Sequence, residues 1–378
     1  MSNGSIKLFT ARNIDRLPWP NTASGKYAKK YLLPFVKNGP ETYISNARTT
    51  MNILMIDDII LPITINDKEY RDNCYLCSLI AQYVDYAKHK LNTKNPFIYI
   101  WLKLLKAIMI SGSADKTVHV NNWLLSTNLY PDISNSQLTS IIDFLTKKFP
   151  SHTIVFRSIN EKQDPHLFEF FKENNGILLA SRPVFMMDAK VANPKTSRMF
   201  KSDMKILKET DYTIIDNQHI SQSAASRISS LYDQLNIEKY SPLNPRFSKE
   251  FIKLALKENL LQFKALEKEG KIDAVMGYFS RNGVITSPLF GYDLSLPQDY
   301  GLYRNISTLL TLEAIQNKFI LNGSGGAGSY KKLRRARGAI EYHGIICHHL
   351  SARQKAPWKF LDFIMDKWGI PFIKKHEL

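Results

Sequence analysis

Cysteine and long apolar runs are both scarce in this sequence of 378 residues. Only three cysteines occur, Cys74, Cys77 and Cys347, which excludes a scaffold held together by several disulfide bonds. No apolar run reaches the length that a membrane-spanning helix needs, and the first residues lack the apolar core of a secretory signal. The composition therefore indicates a globular protein without a membrane span, which we expect to be cytoplasmic.

Clustered metal ligands are also missing. Cys74 and Cys77 form a single C-x-x-C pair, whereas a structural zinc site needs a second pair of ligands. Because this pair heads an apolar, tyrosine-rich stretch, we interpret both cysteines as small buried residues at the start of a helix. His348 and His349 are adjacent in a predicted strand, so their side chains would point to opposite faces. We therefore predict no metal.

Acidic residues are outnumbered by basic ones. The sequence holds 34 Asp and Glu against 51 Lys and Arg, which gives a net charge of +17 and a pI near 9.5. Part of this excess is local, since residues 322–359 contain eight basic residues and one acidic residue, Glu341. Positive charge attracts anionic partners at long range. An acidic surface, RNA, a phosphate-bearing cofactor and plain solvent all remain open as the partner.

Two halves, each alternating short helices with strands, follow from the hydrophobic pattern. Residues 1 to about 50 are rich in Pro, Gly and Asn and are interpreted as irregular. Two apolar runs around Asp57 and Asp58 predict a β-hairpin, and residues 118–126 predict a strand. The polar stretch at residues 188–203 predicts the boundary between an N-terminal domain, 1–195, and a C-terminal domain, 196–378.

The second half begins with helical patterns and continues as a strand meander. Its turns are expected at Glu269-Gly270 and Asn282-Gly283, where glycine permits the backbone that tight hairpins need. An amphipathic helix starting near Leu302 follows the meander. A glycine-rich turn, a basic block and a closing strand complete the pattern.

This order resembles the GNAT-type acyltransferase fold. The stretches that carry the resemblance are LQFKALEKEGKIDAVMGYF, GLYRNISTLLTLEAIQNKF and NGSGGAGSYKKLRRARGA, within residues 205–350. The layout in two halves resembles the FemAB-like branch, which pairs two such domains. The resemblance implies an α/β (α+β) fold with two GNAT-like domains, each a mixed, mostly antiparallel sheet flanked by helices.

The resemblance also implies an activity, namely acyl transfer to a small-molecule or peptide amine. Ordinary GNAT enzymes hold acetyl-CoA with a Q/R-x-x-G-x-G/A turn, which is absent before the long helix, where the sequence is LPQDYGLYR. FemAB-like relatives often take an aminoacyl group from aminoacyl-tRNA, and others use acyl-thioesters. We therefore expect no permanently bound cofactor and an anionic donor as co-substrate: acyl-CoA, an acyl-carrier protein thioester or aminoacyl-tRNA.

The glycine turn and the basic block are the predicted donor site. Glycines permit positive φ and close approach of the backbone, and consecutive N–H groups can form a nest for an anion. Basic side chains that follow could hold phosphates. A flexible surface connection with solvated charges is the alternative. The residues expected to bind the donor are Asn322, Gly323, Gly325, Gly326, Gly328, Lys331, Lys332, Arg334 and Arg304.

Two residues are catalytic candidates. Asp293 follows a predicted strand, where a carboxylate could bind or deprotonate an amine, and Tyr303 opens the long helix. A turn-opening aspartate and a packed core tyrosine are the alternatives. Polar and aromatic residues at strand ends, which could equally be turn caps, are the candidates for binding the acceptor: Trp123, Ser126, Arg157, Ser158, Asn160 and Tyr292.

A second function stays open on the sequence alone. The positive charge would also suit a non-catalytic RNA-binding protein built on a GNAT-like scaffold. Such a protein would bind unrelated RNAs that carry no aminoacyl group, and its affinity would fall steeply with salt concentration.

Overall fold

The structure is a computed structural model that describes residues 6–68, 70, 72–91, 96–174 and 176–376. Its strands, in chain order, are β1 (Ile6–Phe9), β2 (Thr50–Ile56), β3 (Ile59–Asn66), β4 (Thr117–Val120), β5 (Thr153–Ile159), β6 (Ile177–Asp188), β7 (Thr213–Asp216), β8 (Gln262–Lys268), β9 (Lys271–Arg281), β10 (Val284–Tyr292), β11 (Ile320–Asn322) and β12 (Arg337–Ile346).

The α-helices lie between these strands and after the last of them. In chain order they are α1 (Ala23–Asn38), α2 (Pro40–Tyr43), α3 (Tyr86–Leu91), α4 (Pro96–Ser111), α5 (Asn135–Lys148), α6 (Pro165–Glu173), α7 (Arg198–Glu209), α8 (Ala225–Asp233), α9 (Lys249–Glu258), α10 (Leu302–Asn317), α11 (Gly328–Lys332), α12 (Ala352–Ile364) and α13 (Ile370–His376).

Two compact units divide the chain, but not at residues 195–196. The first unit comprises Met1–Ser181, Ser241–Arg246 and Glu341–Phe372. The second comprises Arg182–Tyr240, Phe247–Ile340 and Ile373–Leu378. The polar stretch 188–203, which suggested the domain boundary, lies inside the second unit and includes the end of β6, a 3-10 turn at Pro194–Thr196 and the first residues of α7.

The first unit contains strands in the order β1-β2-β3-β4-β5-β12. Neighbours are antiparallel except β4 and β5, which run parallel and are joined by α5. A capping box of Ser134 and Gln137 starts α5, because these two side chains satisfy N–H groups that the first helical turn leaves open. The buried face of α5 then packs its leucines and isoleucines against β-strand residues such as Phe156.

The second unit repeats this arrangement with strands in the order β6-β11-β10-β9-β8-β7. Here β10 and β11 are the parallel pair, joined by α10, and the other pairs are antiparallel. The predicted turns are confirmed, since Glu269 and Asn282 have positive φ and each precedes a glycine with positive φ. The expected mixed, mostly antiparallel sheets flanked by helices are thus confirmed.

Each unit is completed by a strand from the other half of the sequence. The order β4-α5-β5-α6-β6 in the first half matches β10-α10-β11-α11-β12 in the second. However, β11 pairs with Met186–Asp188 of β6, and β5 pairs with residues 342–346 of β12. A central parallel strand has two edges with backbone groups to satisfy, and here the final strand of the opposite half satisfies one of them.

Two local predictions are wrong. Residues 1–50 are not irregular, because Thr22 caps α1 by accepting a hydrogen bond from the Gly25 N–H and Gly39 ends the helix with φ +82°. Residues 121–126 do not continue β4, since Asn121 and Leu124 have positive φ. In the described part of the chain, no helix is long and apolar enough to cross a membrane.

The exchanged strands predict that the sequence halves do not fold alone. A fragment of residues 1–195 lacks β12 and α12, including the fully buried Trp358, and thus leaves a sheet edge and a core face open. We expect each half alone to lack cooperative thermal unfolding by circular dichroism, and coexpression of 1–195 with 196–378 to restore it. Cooperative unfolding of the isolated 1–195 fragment would contradict the exchange.

Candidate active site

The parallel strands of the second unit separate at one end. The last paired residues of β10 and β11 are Thr286 and Asn322, where β11 ends, whereas β10 continues to Tyr292. The register of β10 against β9 also shifts between Thr286 and Leu289. One edge of β10 therefore loses its strand partner at the point where the glycine-rich turn leaves β11.

The glycine turn, residues 323–328, is anchored at its first residues. Gly323 N–H donates to the Phe185 carbonyl at 2.9 Å, and Ser324 N–H donates to Asn322 Oδ1 at 2.9 Å. Gly326 has φ +71°, and a Cβ at Gly328 would lie 2.4 Å from the Phe185 ring. Glycine is therefore required at 326 by backbone conformation and at 328 by packing.

Four successive backbone donors of this turn point at no protein acceptor. Within the described residues, the N–H groups of Gly325, Gly326, Ala327 and Gly328 make no hydrogen bond. Backbone N–H groups are strong donors that are otherwise nearly always satisfied by protein or solvent. The turn therefore presents a row of donors that suits an anion, and its role in binding the donor stays a prediction.

Lys331 holds the opposite, carbonyl side of the turn. Its ammonium donates to the carbonyl oxygens of Gly323 at 2.6 Å and Gly325 at 2.8 Å, with Ser324 at 3.3 Å. Burial, with Arg182 nearby, lowers the pKa of Lys331 to about 7, while the three carbonyl acceptors favour its charged form. Lys331 thus fixes the shape of the turn, whereas the neighbouring Lys332 is exposed.

A buried carboxylate joins two of the predicted donor-binding arginines. Asp203 on α7 is fully buried, and it accepts hydrogen bonds from Arg304 Nε at 2.5 Å and from Arg334 Nε. The guanidinium of Arg334 also lies 3.3 Å from the centre of the Tyr330 ring. The sequence analysis missed Asp203 because it lies in the stretch interpreted as a domain boundary, and a lone aspartate there carries no pattern.

Four aromatic rings cluster near the open end of β10. The Tyr303 ring centre lies 4.9 Å from that of Tyr330, 5.5 Å from that of Phe290 and 5.9 Å from that of Tyr292. All four side chains are half-buried. Burial raises the pKa of Tyr303, so its hydroxyl stays protonated at neutral pH. The structure thus brings the candidates Tyr292 and Tyr303 together with Tyr330, two residues after the glycine turn.

Asp293 lies in an ion-pair network. It accepts a hydrogen bond from Arg227 Nη2 at 2.7 Å and from Ser295 Oγ at 2.5 Å. Although partial burial acts against it, these donors lower the pKa of Asp293 well below its usual range. A carboxylate held so firmly in its ionised form is a weak base at neutral pH. Arg227, on α8, is another partner that the sequence pattern did not reveal.

The predicted acceptor-binding residues of the first unit are mostly interior. Ser126 is half-buried, and the others, Trp123, Arg157, Ser158 and Asn160, are at most 3% exposed. Trp123 and Ser126 follow β4, Arg157 and Ser158 lie in β5 beyond its last residue paired with β4, and Asn160 follows β5. Arg157 Nη1 donates to Asn122 Oδ1 at 3.4 Å. Their role in binding an acceptor stays a prediction. Cys74 and Cys77 are buried free thiols, 3.9 Å apart.

Comparison with known proteins finds similarity in structure only. No family model matches the sequence, and no curated protein matches it. A conserved protein of unknown function from Bacteroides thetaiotaomicron has a TM-score of 0.50 at 11% identity, over 91% of this chain and 99% of that one. FemX has a TM-score of 0.49 at 6% identity, over 95% of this chain and 100% of that one.

A third solved structure is a tandem GNAT protein from the clavulanic acid biosynthesis pathway. Its TM-score is 0.39 at 7% identity, over 90% of this chain and 98% of that one. The part of the expected fold that the structure itself shows is two units, each a mixed, mostly antiparallel sheet flanked by helices. At these identities the likeness concerns the fold alone.

Removing the charge of Asp203 should destabilise the protein. In Asp203→Asn, two arginines lose the carboxylate that compensates them, at a cost of about 3 kcal/mol in the free energy of unfolding. Asp211→Asn is the matched control, because Asp211 is 82% exposed and its ion pair with Lys268 is long, at 3.6 Å. Urea unfolding of both variants measures the difference. Equal stability of the two would show that Asp203 does not support the site.

Proposed function

We propose that the protein is an acyl- or aminoacyltransferase that transfers its group to an amine at the open end of β10 and β11. The observation that carries this proposal is the row of four unused N–H donors at 325–328, next to the unpaired edge of β10. The donor would be an acyl-CoA, an acyl-carrier protein thioester or an aminoacyl-tRNA, all of which carry phosphate.

The electrostatics of the turn support an anionic donor. Lys331 binds the carbonyl oxygens of the turn, so the negative ends of the turn's peptide dipoles face a cation. The N–H groups of the same turn remain available to a ligand. Exposed Lys332 and Arg335 follow directly in sequence. Because Asp203 neutralises part of the charge of Arg304 and Arg334, we assign these two arginines mainly to support the site.

The chemistry requires few groups. Acyl transfer to an amine needs the amine aligned with an activated carbonyl, a stabilised oxyanion and proton transfer. Tyr303 retains its proton at neutral pH and is our candidate to donate it to the leaving group as the bond to the acyl carbon breaks. The proton that the amine loses on forming the amide then restores the Tyr303 hydroxyl. Asp293 is the less suitable of the two catalytic candidates as a base, because Arg227 and Ser295 stabilise its ionised form.

A donor panel tests the proposal directly. Purified protein is incubated with mixed amines and, in turn, CoA thioesters, carrier-protein thioesters and aminoacyl-tRNAs, and mass spectrometry detects the amide formed. Failure with all three donor classes would refute acyl transfer. The RNA-binding alternative would be favoured if the protein transferred no acyl group but bound unrelated RNAs without an aminoacyl group tightly, with an affinity that falls steeply with salt concentration.

Replacing Lys331 should weaken donor binding by loosening the turn. In Lys331→Met, three carbonyl oxygens lose their shared donor, so the N–H groups at 325–328 lose their fixed geometry. We expect the KM for the donor to rise about tenfold, which corresponds to roughly 1.4 kcal/mol, with a smaller change in kcat. Lys257→Met, an exposed lysine on α9, is the control. An unchanged KM would place the donor elsewhere.

Replacing Tyr303 should affect the chemical step. Tyr303→Phe keeps the ring packing against Tyr330 but removes the proton donor, so we expect kcat to fall about 100-fold with little change in stability. Tyr300→Phe is the matched control, since Tyr300 is 44% exposed. Single-turnover rates separate the chemical step from product release. Equal rates in the two variants would exclude Tyr303 as the acid.

A further inference from the structure

Helix α4 of the first unit exposes an apolar stripe, which we call the α4 face. It consists of Phe97, Ile100, Trp101 and Leu104, which are 80%, 62%, 41% and 59% exposed. Their spacing of three and four residues places them along one side of the helix. The other side buries Leu102, Leu105 and Met109 in a hydrophobic core cluster, so the stripe is additional to the face that folding requires.

The sequence segment that contains this helix carries charge of one sign, while Asp362 and Asp366 lie on α12 and the turn after it. Residues 86–114 contain five lysines and no acidic residue. The ammonium groups of Lys88 and Lys103 lie 4.7 and 4.6 Å from the centre of the Tyr99 ring. Lys106 is paired with Asp85, which lies outside this segment, at 2.8 Å. The α4 face is therefore apolar and flanked by Lys88 and Lys103, for which the described part of the chain provides no ion pair.

Helix α12 extends this character within the same unit. It packs on the core cluster that α4 also covers, through Trp358 and Leu361. The two helices meet where Arg353 Nε donates to the Ser111 carbonyl at 2.9 Å. The α12 segment and the turn after it expose Phe363 at 53% and Trp368 at 62%, with their rings 5.9 Å apart. Exposed aromatic area therefore continues beyond α4.

We propose that the α4 face docks on the surface of an anionic phospholipid bilayer, with α4 lying in the interface. Phe97, Ile100 and Leu104 would enter the acyl boundary, and Trp101 would sit at headgroup level, where indole rings are favoured. Lysines near an anionic surface add about 1 kcal/mol each. A second copy of the chain fits less well, because the lysines of the two copies would face each other.

The proposal does not depend on acyl transfer and is tested by vesicle flotation. The probes are vesicles of phosphatidylcholine alone and vesicles that also contain phosphatidylglycerol. We expect flotation with the second kind, a blue shift of tryptophan emission that is absent in Trp101→Phe, and weakening by salt. The double variant Ile100→Ser/Leu104→Ser should reduce the apparent affinity about tenfold or more, since two inserted side chains are lost.

Two further variants make the test specific. Val191→Ser removes a valine of the second unit that is 81% exposed, and should float like the unaltered protein. Lys103→Glu should weaken flotation with anionic vesicles without affecting thermal unfolding. No flotation with either vesicle, or equal flotation of the double variant, would overturn the proposal. A dimer held by the α4 face would also overturn the proposal, and light scattering would show it as a molecular mass that halves in the double variant. Binding of an acidic protein without binding of any vesicle would overturn it as well.

Discussion

The separation of a parallel strand pair is the constraint on which the candidate site depends. While β10 and β11 are paired, their backbone groups satisfy each other, and no ligand can reach them. After Thr286 and Asn322 the pairing stops, and the freed edge of β10 must find other partners. Asn236 Nδ2 donates to the Phe290 carbonyl at 2.8 Å and satisfies one of these groups. The remainder of this edge lies beside the glycine turn and the tyrosine cluster, which makes this end of the unit the place where a ligand can form backbone hydrogen bonds.

The sequence predicted the parts of this site that depend on local conformation. Gly326 and the turns at Glu269 and Asn282 can be predicted locally, because the positive φ at these positions depends on the residue itself and on its immediate neighbours. The helix α10 was equally clear, since its apolar spacing covers sixteen residues. What could not be predicted depends on long-range pairing. The exchange of β6 and β12 leaves no mark in either strand, because an apolar strand has the same pattern whichever neighbour it pairs with.

Side-chain roles were harder to predict than positions. Lys331 and Arg334 stand in one basic block, and composition alone treats them as equivalent phosphate ligands. In the structure Lys331 binds three carbonyl oxygens and Arg334 binds Asp203, so both act first on the protein itself. The difference arises because Asp203 is 131 residues away in sequence, and the carbonyl groups are turned toward Lys331 only by the positive φ values of Ser324 and Gly326.

The same reasoning explains how a site with so many cations can stay folded and still keep donors for the proposed anion. Burying a guanidinium without a counter-charge would cost several kcal/mol, so Arg334 requires Asp203, and this carboxylate, which Arg304 shares, neutralises part of the charge that a ligand would meet. The remaining electrostatic attraction for an anion comes from backbone N–H dipoles and from the exposed Lys332 and Arg335. Backbone dipoles are fixed by the fold and need no reorganisation when a ligand binds. A donor phosphate would therefore meet a surface whose shape is held by buried ion pairs. It would be attracted by the backbone N–H groups that have no acceptor in the protein and by the exposed cations.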